Sequence, residues 1–442
     1  MGGGQIHISS QTNNELDIIN YMPKITYFRK VYKKHTNFGM ESIQQSVEGT
    51  ANFGNTARVL FNNSGSLINN VTFELVLPPV ANVSGNGGFI TNYGSYANWV
   101  NAVGYAIYNS IELKINGQSI DKHTGLWYDV INELSDPNNK EWSLVGKHNS
   151  NADMNSILTK KTKYYLPLKF FFNKQPGLSL PINVIGDKSI ELIINFNNLN
   201  NLILYENSGA TVATSSIVSF NVYATYIYLE QSEENKIIQN LPTNYLIDTL
   251  QYYENYNINN VGNFSFENPV KEIIWVFRHN SRISTSNPRI SSDISITNGN
   301  DIFNYSNTHI NDTLGYNSYD VFSNLTIRIA NEERFSSRDS MYFRKLQPYY
   351  YHSKVPNKNV YLYSFAIDPE EYQPSGTYNF SKNNDKTSFT FAGIPGHSNN
   401  GEVSTNYKIN IFLPTYKYLN ISYQGTSLSN VPILYDDSFI KV

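Results

Sequence analysis

The chain has 442 residues, 40% hydrophobic and 14% aromatic, with a formal charge of −3, so it is long enough for two or more domains with substantial cores. Charged residues make up only 16% and no long Lys/Arg block occurs, which argues against a protein that grips nucleic acid through a continuous basic face. The absence of cysteine excludes disulfides, thiolate metal sites and cysteine nucleophiles. No run approaches the roughly 18 apolar residues of a transmembrane helix. The start, Met1-Gly2-Gly3-Gly4-Gln5-Ile6, lacks the regions of a secretory signal, and Ile6 stands where a myristoylation pattern wants Ser or Thr. It reads as a flexible glycine arm.

The 34 Tyr and 24 Phe favour pleated, half-buried surfaces, and abundant Asn favours turns between short strands. Strand signals recur from about residue 45. Val71 to Leu77 alternates Val, Phe, Leu, Leu against Thr, Glu, Val, the pattern of a strand with one face on a core. Ile111 to Ile115 alternates as cleanly and runs into Asn116-Gly117, whose tolerance of positive φ predicts a tight hairpin and a return strand through Ile120. Leu126 to Leu134 spaces its apolar residues at three and four, which predicts a two-turn helix ending before Asp136-Pro137. Further strands are predicted over Glu191–Phe196 and Val218–Leu229, and a polar helix over Ser232–Gln239. Beyond it, strands are expected at Glu272–Phe277, Leu325–Ile329, Val360–Ile367, Ser388–Phe391 and Lys408–Leu413. Helices do not alternate with strands, so sandwiches or barrels are expected rather than a parallel α/β sheet. Two polar inserts, about Ser135–Thr159 and Asn280–Ser323, take comparable places in the two halves, a hint of duplication without a residue-by-residue repeat.

Few residues invite chemistry. None of the 8 His has metal-ligand spacing; His279 and His352 flank strand ends, where only the accident of folding would pair either with a carboxylate. Asp368, Glu370 and Glu371 read as a solvated turn, lacking the geometry of a glycosidase pair or an EF-hand. No nucleophile elbow or P-loop occurs, so no catalytic, cofactor or metal site is assigned. Among the N-x-[ST] sequons, Asn304 and Asn311 lie in the second insert and are the candidates expected to be exposed for glycosylation.

One stretch carries a resemblance. Pro23-Lys24-Ile25-Thr26-Tyr27-Phe28-Arg29-Lys30-Val31-Tyr32-Lys33-Lys34-His35-Thr36-Asn37-Phe38 mixes apolar and basic residues, and Ile25, Tyr27 and Phe28 could pin it to a sheet. With Met40-Glu41-Ser42-Ile43 after it, the run resembles the N-terminal signature of the major capsid proteins of nucleocytoplasmic large DNA viruses. Tyr226 to Glu230, Asn268 to Val276, Gln347-Pro348-Tyr349, Tyr363 to Ala366, Pro369-Glu370 and Gln373 to Ser381 resemble later stretches of that family in its order. Ile182 to Ser189 and Val431 to Val442 depart from it. The resemblance implies an all-β fold of two tandem antiparallel jelly rolls (a double jelly roll) with a few short helices in loops: an N-terminal arm 1–24, a first roll 25–231, a linker 232–244, and a second roll with a tail 245–442. It implies a structural, non-enzymatic subunit without a cofactor. Three copies would form a pseudo-hexagonal capsomer of an icosahedral shell, meeting neighbouring capsomers, minor capsid proteins and an internal membrane but not nucleic acid. Location in the virion follows, with assembly in the infected cell's cytoplasm. A minor capsid paralogue or a jelly-roll glycan-binding attachment protein is the rival reading.

Overall fold

The computed structural model describes residues 2–10, 22, 24–83, 85–94, 96–148, 159–186, 189–207, 209–241, 243–255, 261–280, 282–283, 299–306, 320–330, 332–382, 386–394, 407–422 and 425–430. It divides into a unit of residues 1–38 and one of residues 39–442. In the first, Gly3–Ser10 is a short helix rather than the expected glycine coil. His35 donates from Nδ1 to the Thr36 carbonyl oxygen, 2.8 Å away.

The larger unit holds two β-sandwiches. In the first half, one sheet runs in the order Phe38–Gln45, Ser219–Leu229, Leu67–Leu77, Thr162–Pro167. The facing sheet runs Val47–Gly49, Thr56–Leu60, Ile190–Phe196, Tyr108–Ile115, Gln118–His123. In the second half, Thr243–Asn255 pairs Tyr407–Ser422, which pairs Glu272–His279, which pairs Val360–Ser364. Its facing sheet runs Val261–Phe264, Thr387–Ala392, Asn324–Ile329, Glu332–Glu333. Numbering the eight principal strands of each half in chain order gives sheets 1-8-3-6 and 2-7-4-5 both times, the order of a jelly roll. The duplication is therefore one of topology. The two inserts correct the expectation of equivalent places: the first falls between strands five and six, the second between three and four. In a sandwich whose successive strands reverse direction, both connections leave by the same end.

Local chemistry explains the elements. Asn116 and Gly117 turn the predicted hairpin with φ of 50° and 78°, and Gln118–His123 returns antiparallel to Tyr108–Ile115. The predicted helix spans Gly125–Ser135, where the Thr124 hydroxyl accepts from the Trp127 N–H at its N-terminus. A Cβ at Gly125 would lie 2.1 Å from the Tyr105 carbonyl oxygen, so only glycine lets the helix begin against that turn. Between the halves, Gln231–Gln239 forms the expected polar helix. The strand Val360–Ser364 ends three residues earlier than predicted, while Tyr407–Ser422 runs far past the predicted Leu413.

Two cores result, and the first extends beyond its own sandwich. In Glu272–His279, Ile273, Trp275 and Phe277 point into the second half's core, whereas Ile274 and Val276 join the core of the first half. Val360, Leu362 and Phe412 do the same, so this sheet is buried on both faces. That is why the run Ile273-Ile274-Trp275-Val276-Phe277 is continuously apolar instead of alternating.

Candidate functional site

The seam between the sandwiches is where both halves contribute side chains. Helix Gly125–Ser135 fills it from the first half and is buried on nearly every side. The Trp127 ring packs on Phe412 with centroids 5.3 Å apart. Strand edges meet beside it, where the Leu250 N–H donates to Asp121 Oδ1 at 2.9 Å. Burial of each such side chain contributes about 1.5–3 kcal/mol, so the halves are fused rather than strung on a linker.

Within this apolar seam sits a closed ionic cluster. Asp129 accepts from Lys147 Nζ at 2.9 Å and from Lys358 Nζ at 3.0 Å, and the Tyr305 hydroxyl donates to it at 2.7 Å. Glu133 accepts from Lys147 at 2.7 Å and from the Asn357 N–H at 3.2 Å. Asp129, Glu133 and Lys147 belong to the first half, Tyr305, Asn357 and Lys358 to the second. The side chains of Asp129, Lys147 and Lys358 are at most 2% exposed. Burial alone would raise the Asp129 pKa, but Lys147 and then Lys358 outweigh it and bring it down to about 2. A buried pair of this kind adds little net stability over an apolar match, yet it penalises any packing that leaves one charge alone. It is suited to fixing which surfaces of the two sandwiches meet.

A second bridge lies nearby. The buried His352 ring contacts Glu272 at 2.8 Å through Nε2 and Glu370 at 2.9 Å through Nδ1. Burial disfavours its charge, but Glu272 first and Glu370 next hold its pKa up at about 9. Only folding brings these carboxylates to His352, which ties the start of one strand to the acidic turn. Of that turn, Asp368 and Glu371 are exposed as expected, whereas Glu370 is engaged.

Of the two glycosylation candidates, only Asn304 falls among the described residues, and it is not an exposed amide there. Asn304 is 1% exposed; its Oδ1 accepts from Arg282 at 2.7 Å and its Nδ2 donates to Asp301 at 2.7 Å. The polar side chain is internal because it satisfies a buried arginine. Asn311 lies outside the described residues. Among those residues, no group of three or more His, Asp or Glu side chains is set to hold a metal, and no helix is long and apolar enough to cross a membrane. All four tryptophans, Trp99, Trp127, Trp142 and Trp275, are at most 8% exposed, so none lines an open sugar-stacking groove.

The model for the major capsid protein N-terminus matches residues 26–230, and that for the large eukaryotic DNA virus major capsid protein matches residues 234–425. The major capsid protein of Paramecium bursaria Chlorella virus 1 is 30% identical over 377 residues, covering 81% of this chain and 80% of that protein. The chain belongs to the major capsid proteins of large eukaryotic DNA viruses. Another capsid protein of this family, from Pyramimonas orientalis virus, is 26% identical over 95% of this chain and 97% of its own length. Among solved structures, the capsid protein in the quasi-atomic model of the PBCV-1 capsid superposes with a TM-score of 0.73 at 25% identity, covering 92% of this chain and all of its own. The Faustovirus major capsid protein shares the fold, with a TM-score of 0.71 at 13% identity, over 95% of this chain and 96% of that one. The capsid family makes the seam an architectural site: it holds two jelly rolls as one building block of a virion shell. Sequence reasoning missed the seam's charged residues. Asp129, Asn132 and Glu133, spaced at three and four along the helix, make a polar stripe of the kind a solvated helix shows.

Proposed function

We propose that the chain is a structural, non-enzymatic subunit that associates in threes into a pseudo-hexagonal capsomer tiling an icosahedral shell. The observation that carries this reading is the pair of jelly rolls with identical strand order, fused along a seam that is apolar and ionically keyed. Three such chains present six like sandwiches, so a threefold object fills a sixfold position. The long connections after strands three and five leave by one end and are assigned to the outer surface, where loops lengthen without disturbing a core. Residues 1–24 are assigned as an arm at the base facing minor capsid proteins and an internal membrane, 25–231 as the first roll, 232–244 as the linker and 245–442 as the second roll with its tail. Direct contact with nucleic acid is not part of the proposal, and assembly is placed in the cytoplasm of the infected cell. A glycan on Asn304 is not proposed for the folded chain; Asn311 keeps that candidacy.

Light scattering on the purified full chain tests the association. A species near three times 50.4 kDa that persists on dilution is expected. A folded protein that stays at the mass of one chain at all concentrations would overturn the self-sufficient trimer.

A further inference from the structure

The second roll carries an exposed apolar cleft that the seam does not use. A π-turn, Tyr342–Leu346, runs into helix Gln347–Tyr351. One side of this segment is internal, with Phe343, Gln347 and Pro348 buried. The other side opens a cleft of about 540 Å³ lined by Met341, Tyr342, Lys345, Leu346, Tyr349 and Val355. Met341, Leu346 and Tyr349 are 54%, 42% and 70% exposed. The head groups of Lys345 and Tyr342 are tied back: the Lys345 ammonium donates to the Pro356 carbonyl oxygen at 2.7 Å, and the Tyr342 hydroxyl accepts from Gln347 at 2.9 Å. Apart from the Tyr349 hydroxyl, the lining is hydrocarbon and ring. At the rim, Arg338 stacks over the Tyr342 ring at 5.5 Å and has no carboxylate partner among the described residues. The adjacent Asp339 carboxylate is occupied by the Met341 N–H at 2.7 Å.

An apolar cleft with a cationic rim fits an apolar side chain flanked by carboxylates. The chain presents such a segment: Ile367 is 69% exposed, and Asp368 and Glu371 beside it are exposed without a cationic partner among the described residues. We propose that the cleft receives the turn Ile367–Glu371 of a second copy, Ile367 entering between Leu346 and Tyr349 while Glu371 meets Arg338. The inference rests on the threefold reading above. Cleft and turn are different surfaces, so their contact is heterologous, the kind that closes a ring; a twofold contact of cleft on cleft would oppose two Arg338 side chains. His352, bonded to Glu370, anchors the turn at the end of the helical segment, so giver and receiver are held in fixed relation within each copy.

The test measures dissociation of the full-length trimer on dilution, or in sub-denaturing urea if dilution leaves it intact. All substituted side chains are exposed, and circular dichroism checks that each variant is folded. Ile367→Ala and Tyr349→Ala are each expected to raise the dissociation midpoint roughly tenfold or more, and the two together scarcely further because they empty one contact. Arg338→Glu and Glu371→Arg each weaken the trimer, and the double reversal restores it. Wild-type trimers with variants that dissociate as wild type, or a double reversal worse than either single one, would overturn this contact and leave the trimer standing. A folded wild-type chain that never associates would overturn the threefold reading itself, and this contact with it.

Discussion

Replacing Asp129 by Asn probes the ionic key of the seam. The substitution keeps the shape but removes the charge that bonds both Lys147 and Lys358, at 2.9 and 3.0 Å. Lys147 retains Glu133; Lys358 loses the carboxylate it shares across the seam. Removing one partner of a fully buried pair costs about 3–5 kcal/mol, because the remaining charge stays desolvated. The exposed pair Lys236–Glu233 is the internal control, since a pair three residues apart on a solvated helix is worth about 0.2–0.5 kcal/mol. Urea unfolding followed by tryptophan fluorescence, at one protein concentration because association shifts apparent stability, compares Asp129→Asn with Glu233→Gln. The pairing of Asp129→Leu with Lys358→Met is expected to recover part of the loss, since it deletes the stranded charges together. A cost for Asp129→Asn within about 1 kcal/mol of the control would refute the reasoning that the cluster keys the two rolls together.

The His352 bridge predicts an alkaline limb of stability. A pKa raised from 6.5 to about 9 corresponds to about 3 kcal/mol, fully present below pH 6.5 and lost as pH rises through 9. Melting temperatures from pH 6 to 10 are expected to fall across that window, and His352→Gln to flatten the fall, lowering the curve most below pH 6.5 and least above pH 9; an unchanged alkaline limb would count against the bridge. Trp127→Ala empties the contact with Phe412 and is expected to cost about 3–5 kcal/mol in the same urea assay, a loss under about 1 kcal/mol placing that ring outside the cooperative core.

How much of this was legible in the chain depends on the range of the interaction. The Asn116-Gly117 hairpin and the helix from Gly125 were readable because both are set by neighbours a few residues apart. Glu272 to Phe277 was readable as a strand; its burial on two faces lay in the unbroken apolar run, which alternation-based reading passes over. The ionic key was not readable, because Asp129 and Lys358 are 229 residues apart and Asp129 sits among polar helix positions that look solvated. Pro348 hid the aromatic helical segment, since proline suits a first turn as well as a break. The shared strand order of the halves left no repeat in sequence, because a jelly roll constrains which positions are apolar far more than which residues occupy them.

Cryo-electron microscopy of the purified full-length protein shows directly whether two fused jelly rolls in each of three chains build one capsomer. A threefold particle with six sandwich densities in a pseudo-hexagonal ring, the seam lying within each chain, is expected. A particle of twofold symmetry, or one in which the two rolls of a chain separate, would contradict it.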